Sequence, residues 1–321
     1  MRSSTEIALV CLIVASAAGT VAWLLAKQRH RRFGSVGLPL AMLAALGALA
    51  ALSWACVLLG LPLAYDRTGT TRQVAPGVLY RRLFLTRPRP HPVHVLQVGL
   101  DTPGLRLVLT AARPADGRPY AAATTSTFLG QQRASCVAAI NASFFFPFHS
   151  SSPWDYYPRV GDGVDVLGRY GTRNDRHGQA WHGARMNFAG SRVAFGGAPS
   201  KYDGTIEGRR WLVRDGRRVA APATRPYSRM ALGLSDRTLL AVAVDGKIDR
   251  LAEGLTLAEL TALMLELGAD HAIELDGGGS VTLALRRRDG APEVVNLVSH
   301  TRVPFLERPV ATHLGICVDG P

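Results

Sequence analysis

Two long apolar runs without a polar face open the chain. Thr5–Ala26 carries one charge, Glu6, at its edge, and Gly37–Ala64 carries none, with Pro39 and Pro62 near its ends. At about 1.5 Å per residue each run reaches about 30 Å or more, the thickness of a bilayer's hydrocarbon core. A buried core helix would show a polar stripe, and a signal peptide would explain only the first run. The pattern predicts a two-helix transmembrane hairpin over residues 1–65. From 66 to 92 the periodicity breaks down, ending in Arg87-Pro-Arg-Pro-His-Pro92. Prolines at every second position forbid a helix and disfavour a central strand, so this stretch reads as a tether.

At Val93 the pattern turns to strand alternation. Val93–Val98 and Leu105–Leu109 read as half-buried strands, Thr125–Gln132 as a short helix, and Ser135–Ile140 as a strand that delivers Asn141 at its end. Between Pro147 and Gly197 periodicity is lost. That stretch mixes aromatics (Trp154, Tyr156, Tyr157, Trp181) with Asp, Asn and Arg, a composition that suits either a sugar-binding loop or a loop folded over its own small core. Within it, Gly161-Asp-Gly-Val-Asp165 lacks the full ligand spacing of a calcium loop, so no metal is assigned. Strands resume at Arg229–Leu234 and Thr238–Val244. Thr256-Leu-Ala-Glu259 is a capping box opening a helix with Leu257, Leu260, Met264 and Leu267 on one stripe and Gly268 as its stop. His271–Leu275 and Ala311–Cys317 read as further strands. The predicted fold class is α+β, a mixed β-sheet domain with flanking helices over residues 93–321.

The order strand, helix, strand from Asp245 to Asp276 matters most. Such a crossover sets the two strands parallel in one sheet and brings both aspartates to the same edge. Alternation puts Glu274 and Asp276 on one face, roughly 6.5–7 Å apart, a spacing that suits paired acid/base work on a glycosidic bond. Gly277, Gly278 and Gly279 follow. Three glycines allow a tight turn and a close backbone approach to an anion.

The formal charge of +13 comes almost wholly from arginine, lysine standing only at 27, 201 and 247. The positive residues are scattered, without zinc-finger spacing or a basic helix, which argues against a nucleic-acid partner. Lys27-Gln-Arg-His-Arg-Arg32 concentrates four fixed charges between the apolar runs. By the positive-inside rule this loop stays cytoplasmic, which puts the soluble domain on the extracytoplasmic side of the inner membrane. The arginines from Arg67 to Arg89 argue the other way and are read as meeting anionic lipid headgroups. Cys11 and Cys56 lie in the apolar runs. Cys136 and Cys317 either pair in an oxidising compartment or stay as buried thiols.

Six motifs then occur in order: Ile140-Asn141 with Phe144-Phe145, Arg229-x-Ala231-x-Gly233, Val244-Asp245-Gly246, Gly254 to Leu260, Leu275-Asp-Gly-Gly-Gly-Ser280 and Arg308-Pro-Val310. Together they resemble the phosphodiester glycosidase family over about residues 93–321. The resemblance implies cleavage of the C1–O bond of a sugar-1-phosphodiester, without a cofactor, in envelope or exopolysaccharide metabolism. On that reading Asp276 faces the anomeric carbon and Asp245 or Glu274 activates water. Gly277, Gly278, Gly279, Ser280 and Arg229 or Arg308 hold the phosphate, and Asn141 and Thr282 bind sugar hydroxyls. The chain departs from the family's usual pattern at Ala142, Ser143, Lys247, Glu274 and Val281, so Glu274 is an inference from this chain alone. The rival readings are a non-catalytic glycan-binding envelope protein and a transferase that uses a phosphate-linked sugar.

Overall fold

The computed structural model describes residues 15–16, 18–20, 37–147, 157–220, 222, 224–301 and 303–319. The chain divides into two compact units, residues 1–66 with 248–251, and residues 67–247 with 252–321. In the first unit Gly37–Ala64 is a single helix with no charged residue in its first or last turn. Its side chains are described without a break only from Met42 to Val57, about 24 Å of helix. Met42, Leu43, Leu46 and Leu49 among them are exposed. Among the described residues no helix is long and apolar enough to cross a membrane. Most of the first predicted span, and all of the basic loop, lie outside the described residues, so the hairpin is not established.

The second unit is built on an eight-stranded sheet. Its spatial order is Thr70–Ala75, Val78–Leu85, His91–Gly99, Thr238–Val244, Arg229–Ser235, His271–Leu275, Arg210–Arg214 and Arg217–Arg218. The first two strands fall inside the predicted tether. They form an antiparallel hairpin, and Val78–Leu85 pairs along its length with His91–Gly99. Val78 and Tyr80 are buried and drive that pairing, so the proline rule governs only the turn around residues 86–90. The Thr238 and His271 strands run in the same direction. The Arg229 strand lies between them, antiparallel to both.

Alternation gives the sheet two buried faces. Val93, Val95, Ala231, Leu240 and Val242 pack beneath Leu257, Leu260, Leu263 and Met264 of the helix Leu257–Glu266. Its capping box is formed as the sequence predicts: the Thr256 hydroxyl accepts from the Glu259 amide and the Glu259 carboxylate accepts from the Thr256 amide. Gly233 allows the close approach, since a Cβ there would stand 2.5 Å from the Met264 methyl. On the opposite face Leu96, Val98, Met230, Leu232, Ile273 and Leu275 meet Ile140, Leu283, Leu314 and Ile316. These come from a five-stranded sheet ordered Pro292–Val294, Leu283–Arg286, Cys136–Asn141, His313–Val318 and Leu105–Leu109. Phe128 and Leu129 of the short helix Thr125–Gln131 cover its far side. Cys136 and Cys317 are register partners on adjacent strands and form a disulfide.

The stretch from 163 to 207, without legible period, folds into a second five-stranded antiparallel sheet and part of a three-stranded one. Its strands run from three to five residues, too short for alternation to show. Asp165 of the suspected calcium-like segment pairs with Arg118.

Candidate active site

Asp245 and Asp276 do end their strands at the same edge of the large sheet, for Arg229 is opposite Val244 and Met230 opposite Leu275. Their surroundings differ. Asp245 is fully buried. Its Oδ2 accepts from His94 Nε2 at 3.0 Å and from the Leu297 amide at 3.0 Å, and its Oδ1 accepts from Asn296 Nδ2 at 3.1 Å. A carboxylate only accepts, so His94 carries its proton on Nε2 and takes the Tyr80 hydroxyl on Nδ1 at 2.8 Å. These three donors hold the Asp245 carboxylate away from solvent. In this structure Asp245 is a buried tie between the sheet and the 296–297 segment.

Glu274 is likewise engaged by the protein's own groups. It lies on the helix-covered face, opposite Ala231, while Leu275 faces the sandwich core. Arg229 donates to Glu274 Oε1 at 2.9 Å, and the Arg210 guanidinium stands 2.9 Å from Oε2 as an ion pair outside hydrogen-bonding geometry. Arg229 also donates to the carbonyls of Leu255 and Arg225. It thus ties the backbone at Arg225 and Leu255 to the sheet.

Asn141 and Thr282, expected to meet sugar hydroxyls, are both fully buried. The Asn141 amide donates to the Asp276 carbonyl at 2.8 Å and accepts from the Thr282 amide at 3.0 Å. The Thr282 hydroxyl donates to the Ser280 carbonyl. With the Asp276 amide on the Ala142 carbonyl, these bonds clamp both ends of the glycine turn. They position Asp276 without facing a ligand.

Asp276 itself is partly exposed at the mouth of this turn. Crowding by the surrounding protein pushes its carboxyl up to about 6, against the pull of the Ser280 hydroxyl, Arg308, the Gly277 amide and Lys247. Of the three glycine amides, that of Gly278 donates to the Ser228 carbonyl at 2.9 Å. One of the three amides expected to face an anion is thus committed to the protein's own backbone. The glycines also make room. A Cβ on Gly279 would stand 2.3 Å from the Arg308 guanidinium, and one on Gly278 would stand 2.6 Å from the Tyr227 ring.

The cations do gather. Arg308 is buried, donates to Ser280 Oγ at 3.2 Å and to His300 Nδ1 at 3.1 Å, and lies 3.7 Å over the Tyr157 ring. Ser280 and Arg308 both act to lower the Asp276 carboxyl, so the bonded Arg308–Ser280 pair stands beside it. Lys247 holds a left-handed backbone (φ 73°) and sets its ammonium 4.6 Å over the Tyr227 ring. His300 is kept neutral by burial, Arg308 and Lys247, which lower its imidazole to about 4. Because Nδ1 accepts from Arg308, its proton sits on Nε2. Tyr157 belongs to the aromatic-rich stretch noted in the sequence, whereas Tyr227 and His300 fall in none of the motifs read from it. Tyr227 stands two residues before the Arg229 strand, at the sheet edge where Asp245 follows the Thr238 strand, and that place is the one signal for it.

One carboxylate of raised pKa, two cations and a neutral imidazole N–H thus share a corner that can take an anion beside an acid/base group. A cavity of about 760 Å³ elsewhere is lined by alanines together with Arg113, Thr127, Gln131, Gln132 and His313, and has no carboxylate.

The profile of a family described as phosphodiester glycosidase matches residues 134–317, which include every residue of this corner. Among solved structures, the chain is similar to a hypothetical protein from Synechocystis (TM-score 0.60, 15% identity, 80% of this chain and 65% of that one). It is also similar to the zebrafish N-acetylglucosamine-1-phosphodiester alpha-N-acetylglucosaminidase catalytic domain auto-inhibited by its pro-peptide (TM-score 0.55, 17% identity, 79% of this chain and 89% of that one). The chain thus spans just under two thirds of the Synechocystis protein, and at these identities both likenesses speak for the fold. Comparison with curated protein sequences gives no match. The family profile covers more than half of the chain, and the chain belongs to the phosphodiester glycosidase family.

Proposed function

We propose that the protein hydrolyses the glycosidic C1–O bond of a sugar-1-phosphodiester, with Asp276 as the base that activates water. The observation that carries this reading is the pairing of a partly exposed carboxyl near pKa 6 with Arg308 and Lys247. Above pH 6 Asp276 accepts a proton from water as the water oxygen bonds to C1. The C1–O bond breaks, and its electrons leave on the phosphate oxygen as a monoester anion. A phosphodiester leaving group is already a weak base, so no strong general acid is needed. This fits the commitment of Asp245 and Glu274 elsewhere. Arg308, Lys247 and the Nε2–H of His300 hold the phosphate oxygens, where charge builds up in the transition state.

The same reading places the enzyme on the outer face of the inner membrane, in contact with lipid, in envelope or exopolysaccharide metabolism. Its supports are the uncharged helix Gly37–Ala64 and the Cys136–Cys317 disulfide, a bond kept in oxidising compartments.

The test is turnover of a panel of sugar-1-phosphodiesters by the full-length chain in ¹⁸O-labelled water. Label on C1 of the released sugar supports the proposal, with kcat/KM rising through an apparent pKa near 6. Label on phosphate would make the protein a phosphodiesterase. Saturable polymer binding with no turnover would make it a glycan-binding assembly protein.

A further inference from the structure

Across this edge of the large sheet the strands stand about 4.8 Å apart. Lys247 and Tyr227 lie on one side of Asp276, and Arg209, leading into the Arg210–Arg214 strand, lies on the other. The Arg209 amide donates to the Glu274 carbonyl at 2.9 Å, and the Asp276 amide to the Ala142 carbonyl, two residues before Phe144. Phe144 meets Trp181 edge to face, with ring centroids 5.6 Å apart. The Arg209 guanidinium lies 5.9 Å from the Phe144 ring and 5.8 Å from the Trp181 ring. Both rings are partly exposed and Arg209 is exposed.

Trp181 is fixed from behind by a buried carboxylate. Glu207 Oε1 accepts from three successive amides, Trp181 at 3.0 Å, His182 at 2.9 Å and Gly183 at 2.7 Å, and its Oε2 accepts from the Arg169 amide at 3.0 Å. Burial alone would raise the Glu207 carboxyl, but these four donors hold it below its ordinary range. Three consecutive N–H groups converging on one oxygen form the kind of backbone concavity that elsewhere binds anions. Here the protein's own side chain fills it, which makes the indole a rigid surface on an otherwise irregular segment.

We propose that Trp181, Phe144 and Arg209 form the subsite for the neutral pyranose ring, opposite the cationic phosphate side of Asp276. The C–H face of the sugar packs on the partly exposed indole, and the Arg209 guanidinium donates to ring hydroxyls. Glu207 acts as a positioning residue. This inference rests on the proposed reaction for the direction of the substrate, but the sugar binding it predicts is independent of turnover.

The test uses the full-length chain, its Trp181→Ala and Trp181→Phe variants, and Arg308→Lys. Affinities for free glucose, mannose, galactose and N-acetylglucosamine, and for inorganic phosphate, are measured by calorimetry and saturation-transfer NMR. At least one sugar should bind the wild type, lose tenfold or more in Trp181→Ala, and recover most of that loss in Trp181→Phe. Phosphate affinity should stay within twofold in both Trp181 variants and fall in Arg308→Lys. Sugar affinity within twofold of wild type in Trp181→Ala, equal loss of phosphate and sugar, or no saturable sugar binding to the wild type would each overturn the subsite. Sugar binding through Trp181 without hydrolysis of any phosphodiester would sink the proposed reaction and leave the subsite standing.

Discussion

Asp245 and Asp276 end strands of the same direction in one sheet, and each stands before a glycine. In sequence they are near duplicates. In the fold one is sealed by three donors and the other is left with its charge poorly compensated. The contrast shows that a carboxylate at a strand end acquires chemistry from its neighbours' unmet needs rather than from its place. His94, Asn296 and the Leu297 amide meet every need of Asp245. Around Asp276 the donors are few, and the two cations are also engaged by aromatic rings.

The largest test of that contrast is Asp276→Asn. Removing the base while keeping size and shape should lower kcat/KM by about 10³-fold or more, measured on whichever sugar-phosphodiester the wild type turns over. Asp245→Ala should act through the fold instead. It strands the buried donors of His94, Asn296 and Leu297, a loss of about 3 kcal/mol readable as a lower denaturant midpoint. The fraction that remains folded should turn over at close to the wild-type rate. If Asp245→Ala left stability intact but abolished turnover in folded protein, the roles of the two aspartates would be reversed. Arg308→Lys comes next. Lysine keeps the charge but not the fork that reaches Ser280 and His300 together, so a loss of about 10²-fold, mostly in KM for a phosphodiester, is expected. It should show in steady-state kinetics at pH 7.5.

The same two aspartates mark how far the sequence could be read. Apolar strands, a capping box and strand-end acids are local signals, and they located the shared edge and the direction of both strands. What saturates Asp245 comes from His94, far upstream, and from Asn296, about fifty residues downstream. No local pattern announces such partners. Glu274 was misread for a related reason. Its partner Arg210 belongs to a strand within a stretch of weak pattern, and only the sheet register sets the two side by side. The hairpin Thr70–Leu85 was hidden by prolines that lie beyond it, although the alternation of Val78 and Tyr80 was there to see. Asn141 and the glycines were recognised as important, yet their work is to clamp and to make room, and residue type alone does not separate clamping from ligand contact.

The smallest predicted effect is the most specific to the contrast. Because the folded protein raises Asp276 to about 6 from its usual 3.8, the native state holds a proton between about pH 4 and pH 6 that the unfolded chain has already released. Stability from this group is therefore greatest at low pH and is lost as pH rises through that window. Asp276→Asn cannot ionise and escapes the penalty. His300 titrates in the same range with the opposite sign, since its folded pKa is lowered to about 4, but it is present in both proteins and largely cancels in their difference. Arg308 and Lys247 lose a counter-charge in the variant. Their attraction already falls short of the cost of crowding, because the net shift is upward. A shift of this size corresponds to at most about 3 kcal/mol, and solvent screening at a partly exposed group brings the expected gain to about 1 kcal/mol. Asp276→Asn should thus match the wild type in melting temperature near pH 4 and exceed it by about 2–4 °C above pH 7. Equal melting temperatures at both pH values would mean that the fold does not raise the Asp276 carboxyl, and the physical basis for treating the two aspartates differently would be gone.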